Sequence, residues 1–301
     1  MRKRHFLFAS ALALLCSSGA LHAQDFKLTS SGYFKNQGVD VMAFDDIYPE
    51  GHQGGVCIIM NGHRVATNGD IRLEATPGQW QPVPKQLDRK LSDNSITATL
   101  CYPDSSRHLT GFNPMIYPDL HLIYTVQVES KGKHIEVTVD LDRPIPQEFI
   151  GKVGFNLEFF PGSLFGKPWI MDGQSGIFPQ QPNSPLMTTQ PNYLHTGNYH
   201  DGKKSLADMD KLIGKGYSPI VADDIISEPY AKGRKFTSRP DDPYNKVTIE
   251  SLSGDLQLFD GRMNHNNGWF VLRSNIKPGV TKGAVKWIIT PNVVADWMYQ
   301  P

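Results

Sequence analysis

Four residues near the middle of the chain carry side chains suited to binding a sugar: Asn156, Glu158, Trp169 and Asp172. Amide and carboxylate groups form hydrogen bonds with hydroxyls, and an indole ring can stack on the apolar face of a pyranose ring. Asn156 and Glu158 alternate with apolar residues in the segment Phe155–Phe159, so a β-strand would place both polar side chains on one face. The sequence therefore predicts a carbohydrate-binding site on a strand face.

Two other interpretations of these residues stay open. A polar strand face is the normal solvated side of an antiparallel sheet, in which case Trp169 would fill the core. Alternatively, Glu158 and Asp172 would be the acid and base of a complete glycan-active enzyme, because cleavage of a glycosidic bond uses two carboxyl groups. Burial of the Trp169 indole would separate the core interpretation from the sugar-binding one, since a stacked ring must be partly exposed.

The sequence predicts neither a metal nor a cofactor. Its histidines do not occur in the HxH or HExxH spacing of zinc sites. Two acidic pairs, Asp223-Asp224 and Asp241-Asp242, are candidate calcium ligands, but Ca²⁺ takes about six to eight oxygens and an isolated pair is typical of a solvated turn. The polar segment from Asp260 to Trp269 carries hydroxyl-binding groups, and its Asn and Gly residues are equally those of a sharp turn.

Alternation of apolar and polar residues dominates the chain and predicts β-strands joined by tight turns. The runs Val56–Met60 and His63–Thr67 flank Asn61-Gly62. An Asn-Gly pair suits a type I′ hairpin because both turn positions need positive φ. A second pair, Asn68-Gly69, precedes the β-prone residues Ile71–Leu73.

Two more hairpins and four further strands are expected downstream. The hairpins are Leu122–Glu129 with His134–Leu141 around Lys131-Gly132, and Val247–Glu250 with Leu256–Phe259 around Ser253–Asp255. The further strands are Ile96–Cys101, Val153–Phe160, Trp269–Arg273 and Ala284–Ile289. The predicted fold class is all-β, an antiparallel β-sandwich or mutarotase-like super-sandwich with one short helix over Ser205–Ile213.

The N-terminus has the layout of a secretory signal peptide. Three basic residues, Arg2 to Arg4, precede an apolar run from Phe6 to Leu15 and then small residues up to Ala23. The apolar run is far shorter than the ~20 residues that cross a bilayer, which disfavours a membrane anchor. A lipid anchor on Cys16 is disfavoured by the bulky Leu15 before it. We therefore expect an exported protein, periplasmic or extracellular.

Four parts of the chain are expected: a signal peptide over residues 1–23, an N-terminal β part over 24–177, a long connecting loop over 178–204, and a C-terminal β part over 205–301. The last part belongs to the same or to a second sandwich. Removal of the signal peptide leaves 27 basic and 30 acidic side chains, a net charge of −3. This near-neutral charge gives no electrostatic footprint for nucleic acid or an anionic membrane.

Two cysteines, Cys57 and Cys101, remain after removal of the signal peptide. In an oxidising compartment they could form a disulfide, and closing a loop of that length would contribute about 4 kcal/mol in the chain-entropy model. Two separate buried thiols are an equal alternative, because the sequence does not set the distance between the two Cα atoms.

Several segments of the mature chain resemble the N-terminal β-rich region of secreted bacterial family 9 glycoside hydrolases, which are endoglucanase-like enzymes. The resemblance extends over nearly all of the mature chain. The segments that carry it are Ala66–Leu73, Ala75–Trp80, Gly154–Glu158, Met171–Gly173, Ser175-Gly176, Phe178-Pro179, Val247–Ser251, Phe259–Arg262 and Asn267–Phe270.

In that family, such a region precedes an immunoglobulin-like module and an α/α-barrel catalytic domain whose carboxylates include an Asp-Ala-Gly-Asp motif. No such tetrapeptide occurs in this chain, so catalytic residues cannot be transferred from the family. The final segment Trp297–Pro301 is apolar, and we expect it to lead into such a module. The resemblance implies a non-catalytic accessory or carbohydrate-binding domain whose partners are a polysaccharide and a downstream catalytic module.

Overall fold

The computed structural model describes residues 25–45, 54–74, 84–102, 120–180, 228–261 and 269–294. These residues form two nine-stranded sheets in which every neighbouring pair of strands is antiparallel. Within the described ranges no helix reaches seven residues, and Gln147–Phe149 and Pro161–Ser163 form short 3-10 segments. The predicted all-β sandwich is confirmed. The predicted helix over Ser205–Ile213 and most of the predicted loop lie outside the described residues.

The strands are numbered along the chain. In spatial order, the first sheet contains β1 (Lys27–Leu28), β2 (Phe34–Asn36), β3 (Val39–Ala43), β4 (Val56–Met60), β5 (His63–Leu73), β10 (Val153–Phe159), β17 (Phe270–Asn275), β16 (Leu256–Asp260) and β13 (Ala231–Gly233). The second contains β12 (Gln174–Ile177), β11 (Pro168–Met171), β14 (Lys235–Ser238), β15 (Val247–Ser251), β18 (Val285–Pro291), β9 (His134–Leu141), β8 (Leu122–Lys131), β7 (Ser95–Tyr102) and β6 (Lys85–Leu91).

Each sheet mixes strands from both ends of the chain. In the first sheet, β10 pairs with β5 on one side and with the much later β17 on the other. In the second sheet, β9 pairs with β8 and with β18. Because both sheets need strands from the predicted N-terminal and C-terminal parts, these parts build the same sandwich.

Apolar residues at alternate strand positions fill the space between the sheets. Phe155 of β10 meets Trp287 of β18 edge to face, with ring centroids 5.0 Å apart, and Phe159 meets Phe236 of β14 at 5.8 Å. These four rings are almost completely buried, and edge-to-face pairs add stability beyond the area that they bury. The odd-numbered residues of β10 therefore face the second sheet.

The turn chemistry confirms one predicted hairpin in detail. Asn61 and Gly62 have φ of 51° and 77°, and they join β4 to β5 as the Asn-Gly pair predicts. The hairpin around Lys131-Gly132 is also confirmed, because β8 pairs with β9.

The third predicted hairpin is wrong. β15 pairs with β14 and β18 in the second sheet, whereas β16 pairs with β13 and β17 in the first. The turn at Ser253–Asp255 therefore carries the chain from one sheet to the other. Alternation shows that both segments are half-buried strands, but it does not specify their partners.

Candidate functional site

A β-bulge interrupts the centre of the first sheet at the second Asn-Gly pair. Asn156 of β10 pairs with Asp70, and Glu158 pairs with Thr67, so Leu157 alone lies opposite both Asn68 and Gly69. Asn68 has a φ of 54°, a left-handed conformation that Asn tolerates better than most residues. Gly69 is required for a different reason, since a Cβ at this position would lie 2.6 Å from Val56 Cβ. The pair thus forms a bulge inside β5 rather than a turn.

The bulge brings an amide to a buried carboxylate. Asn68 Nδ2 donates a hydrogen bond of 2.8 Å to Glu158 Oε2. Glu158 is only 2% exposed, whereas Asn68 is half-buried. Asn68 Oδ1 is itself buried, and among the described residues it has no hydrogen-bond partner. β-bulges re-aim side chains and are frequent beside binding sites, which makes this position a candidate site.

Arg273 anchors a buried polar network beside Glu158. Its Nη1 donates to Asn156 Oδ1 at 2.7 Å, and Asn156 Nδ2 donates to Glu74 Oε1 at 3.0 Å. Arg273 Nη1 also lies 4.0 Å from Glu74 Oε1. Burial lowers the pKa of Arg273, while Glu74 opposes that change. Both polar ends of Asn156 are therefore engaged within the protein, so its role is to hold Arg273 and Glu74 in place.

Gly154 provides the space for this guanidinium. A Cβ at Gly154 would lie 2.6 Å from the carbonyl oxygen of Ser274 and 2.8 Å from Arg273 Cζ. A side chain would therefore displace either the β17 backbone or the arginine. The glycine is needed here for close packing, not for an unusual backbone conformation.

A second ion pair lies directly after the bulge. Arg72 Nη1 is 3.6 Å from Asp70 Oδ2, and Asp70 Oδ1 accepts a 2.7 Å hydrogen bond from the hydroxyl of Tyr124 in β8. Burial alone would lower the pKa of Arg72, but Asp70 and then Glu158 raise it above its ordinary value. Arg72 therefore stays charged beside the Asp70 and Glu158 carboxylates.

Two aromatic residues flank the polar face at the end of β10. Phe160 follows β10 directly and Trp269 immediately precedes β17. Their ring centroids are 4.1 Å apart at an interplanar angle of 64°, and both residues are half-buried. In contrast to the rings between the sheets, this pair is partly accessible.

The structure does not assemble the four residues predicted to bind a sugar. Asn156 and Glu158 belong to the first sheet, whereas Trp169 lies in β11 of the second. Trp169 is 7% exposed and belongs to the hydrophobic core. Its indole packs over Gly176, where a Cβ would lie only 2.4 Å from Trp169 Cζ2. Trp169 therefore fills the core and has no exposed ring face on which a sugar could stack.

Asp172 has a structural role in the second sheet. It occupies the turn between β11 and β12 with a φ of 45°, and its carboxylate accepts the backbone N–H of Arg234 at 2.5 Å and of Lys235 at 3.0 Å. These bonds tie the turn to the start of β14. Asp172 and Glu158 lie in different sheets, so the structure does not bring them together as an acid–base pair.

The two cysteines are likewise separated, because Cys57 lies in β4 of the first sheet and Cys101 in β7 of the second. Neither forms a disulfide. Cys57 Sγ instead lies 3.0 Å from Thr67 Oγ1 and 3.2 Å from the carbonyl oxygen of Gly54. Cys57 is buried, whereas Cys101 is half-buried between the buried residues Leu100 and Tyr102. Alternation does not specify which sheet a strand joins, which explains why the sequence left both arrangements open.

The second acidic pair is part of a turn. Asp242 accepts hydrogen bonds from the side chains of Arg239 and Asn245 and from the backbone N–H of Tyr244. No group of three or more His, Cys, Asp or Glu side chains suited to a metal occurs in the described ranges. Asp223-Asp224 and most of the polar segment after Asp260 lie outside them, as does the predicted signal peptide. The helices that the structure describes include none long and apolar enough to span a membrane.

Comparisons with known proteins do not assign a family. No protein-family model and no curated protein matches the chain. Among solved structures, the chain is similar to the Slr1438 protein of Synechocystis sp. PCC 6803, with 11% sequence identity and a TM-score of 0.35 over 89% of this chain and 96% of that one. A likeness this low carries no argument about function.

Sequence reasoning missed Asn68, Phe160, Trp269 and Arg273 as members of one site. A signal for Asn68 was present, because an Asn-Gly pair within a β-prone run can form a bulge as well as a turn. Phe160 continues the alternation of Asn156 and Glu158 and could have been grouped with them. The pairing of Phe160 with Trp269 depends on the β10–β17 register, for which the sequence provides no local signal.

Proposed function

We propose that this chain is an exported, non-catalytic β domain that binds a polysaccharide or oligosaccharide and serves a polysaccharide-degrading enzyme system. One observation carries the proposal: at the bulge, the Glu158 carboxylate and the half-buried Asn68 amide lie side by side in the middle of a broad sheet. An amide N–H can donate to a sugar hydroxyl, and the buried Glu158 carboxylate orients the Asn68 amide for that role.

The resemblance to the β-rich region of family 9 glycoside hydrolases supports the same ligand class. The signal-peptide layout of residues 1–23 supports export. Cleavage after Ala23 can be tested by the intact mass of protein recovered from the periplasm or medium, which should correspond to residues 24–301. A mass that retains residues 1–23 would contradict export through this signal.

The alternative of a complete glycan-active enzyme using Glu158 and Asp172 is not favoured by any observed contact. An inverting pair needs its carboxyl groups about 6.5–9.5 Å apart with room for water, and a retaining pair needs about 5–5.5 Å. Asp172 is instead occupied by two backbone N–H groups of the second sheet.

Binding is tested by titrating the mature chain, residues 24–301, with cello-, xylo- and mixed-linkage gluco-oligosaccharides in a calorimeter, preceded by a glycan array. We expect saturable binding of at least one of these glycans and no turnover of it. Glu158→Gln should weaken that binding because it replaces a charged acceptor. If no glycan on the array binds to protein that is shown to be folded, the proposed function is wrong.

A further inference from the structure

Strand β6 is the longest of the four strands that end the two sheets. It contains seven residues, whereas β12 at the other edge of the second sheet contains four, and β1 and β13 at the edges of the first sheet contain two and three. In the part of the chain that the structure describes, β6 is hydrogen-bonded to β7 on one side and to no strand on the other. Such an edge presents a row of backbone N–H and C=O groups, which is a template for a further strand.

The side chains of β6 leave apolar surface beside this edge. Leu87 and Leu91 are 50% and 48% exposed, and Asp88 and Lys90 between them are exposed as well. The other edge strands are short and offer little backbone for pairing. β12 also exposes Ile177, but none of its four residues is charged, so it carries no charge pattern that would select a partner. β6 thus combines length, exposed leucines and charges of both signs.

Asp88 and Lys90 lie on the face of the second sheet that is turned away from the core. Arg89 pairs with the core residue Ala98 and therefore faces inward, so its two neighbours in the strand face outward. Lys90 Nζ lies 2.9 Å from Asp88 Oδ2. The outer face of β6 therefore carries a negative and a positive charge two residues apart.

The Arg89 side chain is held within its own chain. Its Nε donates a hydrogen bond of 2.9 Å to the carbonyl oxygen of Ala43, and its Nη2 donates one of 2.6 Å to that of Gly32. Its Nη1 lies 3.9 Å from Asp45 Oδ1. These contacts attach the guanidinium to the first sheet, so two copies of Arg89 can lie opposite each other in a strand pair without their charges meeting.

A second copy of the chain fits this edge best in one of three central registers. A two-fold axis perpendicular to the sheet pairs two β6 strands antiparallel and keeps the outer faces of both copies on the same side. An axis at Asp88 places two carboxylates opposite each other, and an axis at Lys90 places two ammonium groups opposite each other. An axis at Arg89 instead places Asp88 of each copy opposite Lys90 of the other, and it brings the exposed leucines together at both ends of the pairing. Opposite charges on directly paired residues stabilise a sheet, and like charges destabilise it.

We propose that β6 is a dimer interface, at which two copies of this chain pair antiparallel about a two-fold axis at Arg89. The second sheets of the two copies then form one continuous sheet, with two Asp88–Lys90 pairs across the interface. A single strand pair is a small interface, so we expect a reversible dimer with a Kd on the order of 10–100 μM. The proposal does not depend on glycan binding, because it uses neither Asn68 nor Glu158.

The test uses sedimentation equilibrium of the mature chain, residues 24–301, and two reciprocal charge reversals. Asp88→Lys leaves two basic residues on the outer face of β6, and Lys90→Asp leaves two acidic ones. Each variant alone should dimerise with a Kd raised by about tenfold or more, because like charges then lie opposite each other. An equimolar mixture of the two variants should form a dimer of parental affinity, since every acidic residue then lies opposite a basic one.

Glu136→Lys is the matched control. Glu136 lies on the same outer face of the second sheet, but in β9, which β8 and β7 separate from β6. The substitution changes the net charge as much as Asp88→Lys does, and it should leave the Kd of the dimer unchanged. The melting temperature of each variant in dilute solution shows whether it is folded.

Hydrogen exchange of the parent protein provides a measurement that needs no variant. Backbone N–H groups at the free edge of β6 should exchange more slowly as the protein concentration rises through the Kd, because the second copy pairs with them. The N–H groups of β12 at the opposite edge should exchange at the same rate at every concentration.

Several outcomes would overturn the proposal. It is wrong if the parent protein stays monomeric up to about 1 mM, or if the exchange of β6 does not depend on concentration. Folded Asp88→Lys and Lys90→Asp variants that each dimerise with the parental Kd would also contradict it, as would a parent dimer that protects β12 instead of β6. If a charge variant is unfolded, the hydrogen exchange of the parent protein decides.

Discussion

The central strands β9 and β10 have similar alternating sequences but opposite environments on their polar sides. In β9, His134, Glu136, Thr138 and Asp140 are all half-buried, while the residues between them are buried. In β10 every residue is buried, including Asn156 and Glu158. The solvated face of β9 needs no internal partners, whereas the face of β10 needs a hydrogen bond for each polar group. Alternation therefore identifies a strand, but it does not show whether the polar face of that strand is solvent-exposed or buried.

Among substitutions that test this difference between β9 and β10, the largest loss of stability is expected at Arg273. Replacing Arg273 with Ala leaves Glu74 and Asn156 buried without their cationic partner, and we expect the free energy of unfolding to fall by about 3–5 kcal/mol. Urea denaturation followed by circular dichroism measures the change. Glu136→Ala on the half-buried face of β9 is the control and should cost no more than about 0.5 kcal/mol. Equal effects of the two substitutions would show that the two faces do not differ as described.

A smaller effect is expected at Gly154. Gly154→Ala places a Cβ against the Ser274 carbonyl and the Arg273 guanidinium, so the variant should lose about 1–3 kcal/mol of stability. Gly162 is a matched control, because a Cβ there has no neighbour within 4 Å and its φ is not in the left-handed region. Gly162→Ala should change the melting temperature very little. A stable Gly154→Ala variant would mean that the β10–β17 contact is looser than the structure shows.

Alkaline pH should destabilise the folded protein through the two buried tyrosines of the polar network, Tyr102 and Tyr124. Burial raises the pKa of Tyr102 and Tyr124 well above the ordinary value, and the Asp70 carboxylate contributes further at Tyr124. Because these pKa values are raised in the folded state, the stability is complete below the unfolded pKa of about 10 and is lost as the pH rises above it. A titration of tyrosinate absorbance should show at least two tyrosines that ionise only on unfolding. Reversible ionisation of every tyrosine in folded protein would contradict this burial.

The smallest effect is expected for a carboxylate on the solvated side of β9. Burial opposes ionisation of Asp140, but the backbone N–H of Gly283 and the Lys282 ammonium outweigh it and lower its pKa. A lowered folded pKa stabilises above the unfolded pKa of about 4, and this contribution disappears as the pH falls through the folded value. Asp140→Asn should therefore cost less than about 1 kcal/mol at neutral pH and nothing in acid. A larger loss, or one that persists in acid, would indicate a buried role for Asp140.

Local patterns predicted much of the strand content. The hairpins at Asn61-Gly62 and Lys131-Gly132 were predictable because the turn residues and the flanking alternation specify the same local geometry. The turn at Ser253–Asp255 was predicted incorrectly, since its flanking strands satisfy the same alternation while they pair in different sheets. Asn68-Gly69 shows the same limit, because one dipeptide suits both a hairpin turn and a bulge.

The sequence by itself determined that the chain is all-β and antiparallel, and that Asn156 and Glu158 share a strand face. Both follow from the period-two alternation of side chains along a strand, which is a local property. Only the tertiary structure decided that Trp169 lies in the core, that Asp172 holds a turn, and that Glu158 lies beside Asn68. Sheet order and register decide which residues become neighbours. Both are set by contacts between strands that are far apart in the sequence, and local patterns do not specify those contacts.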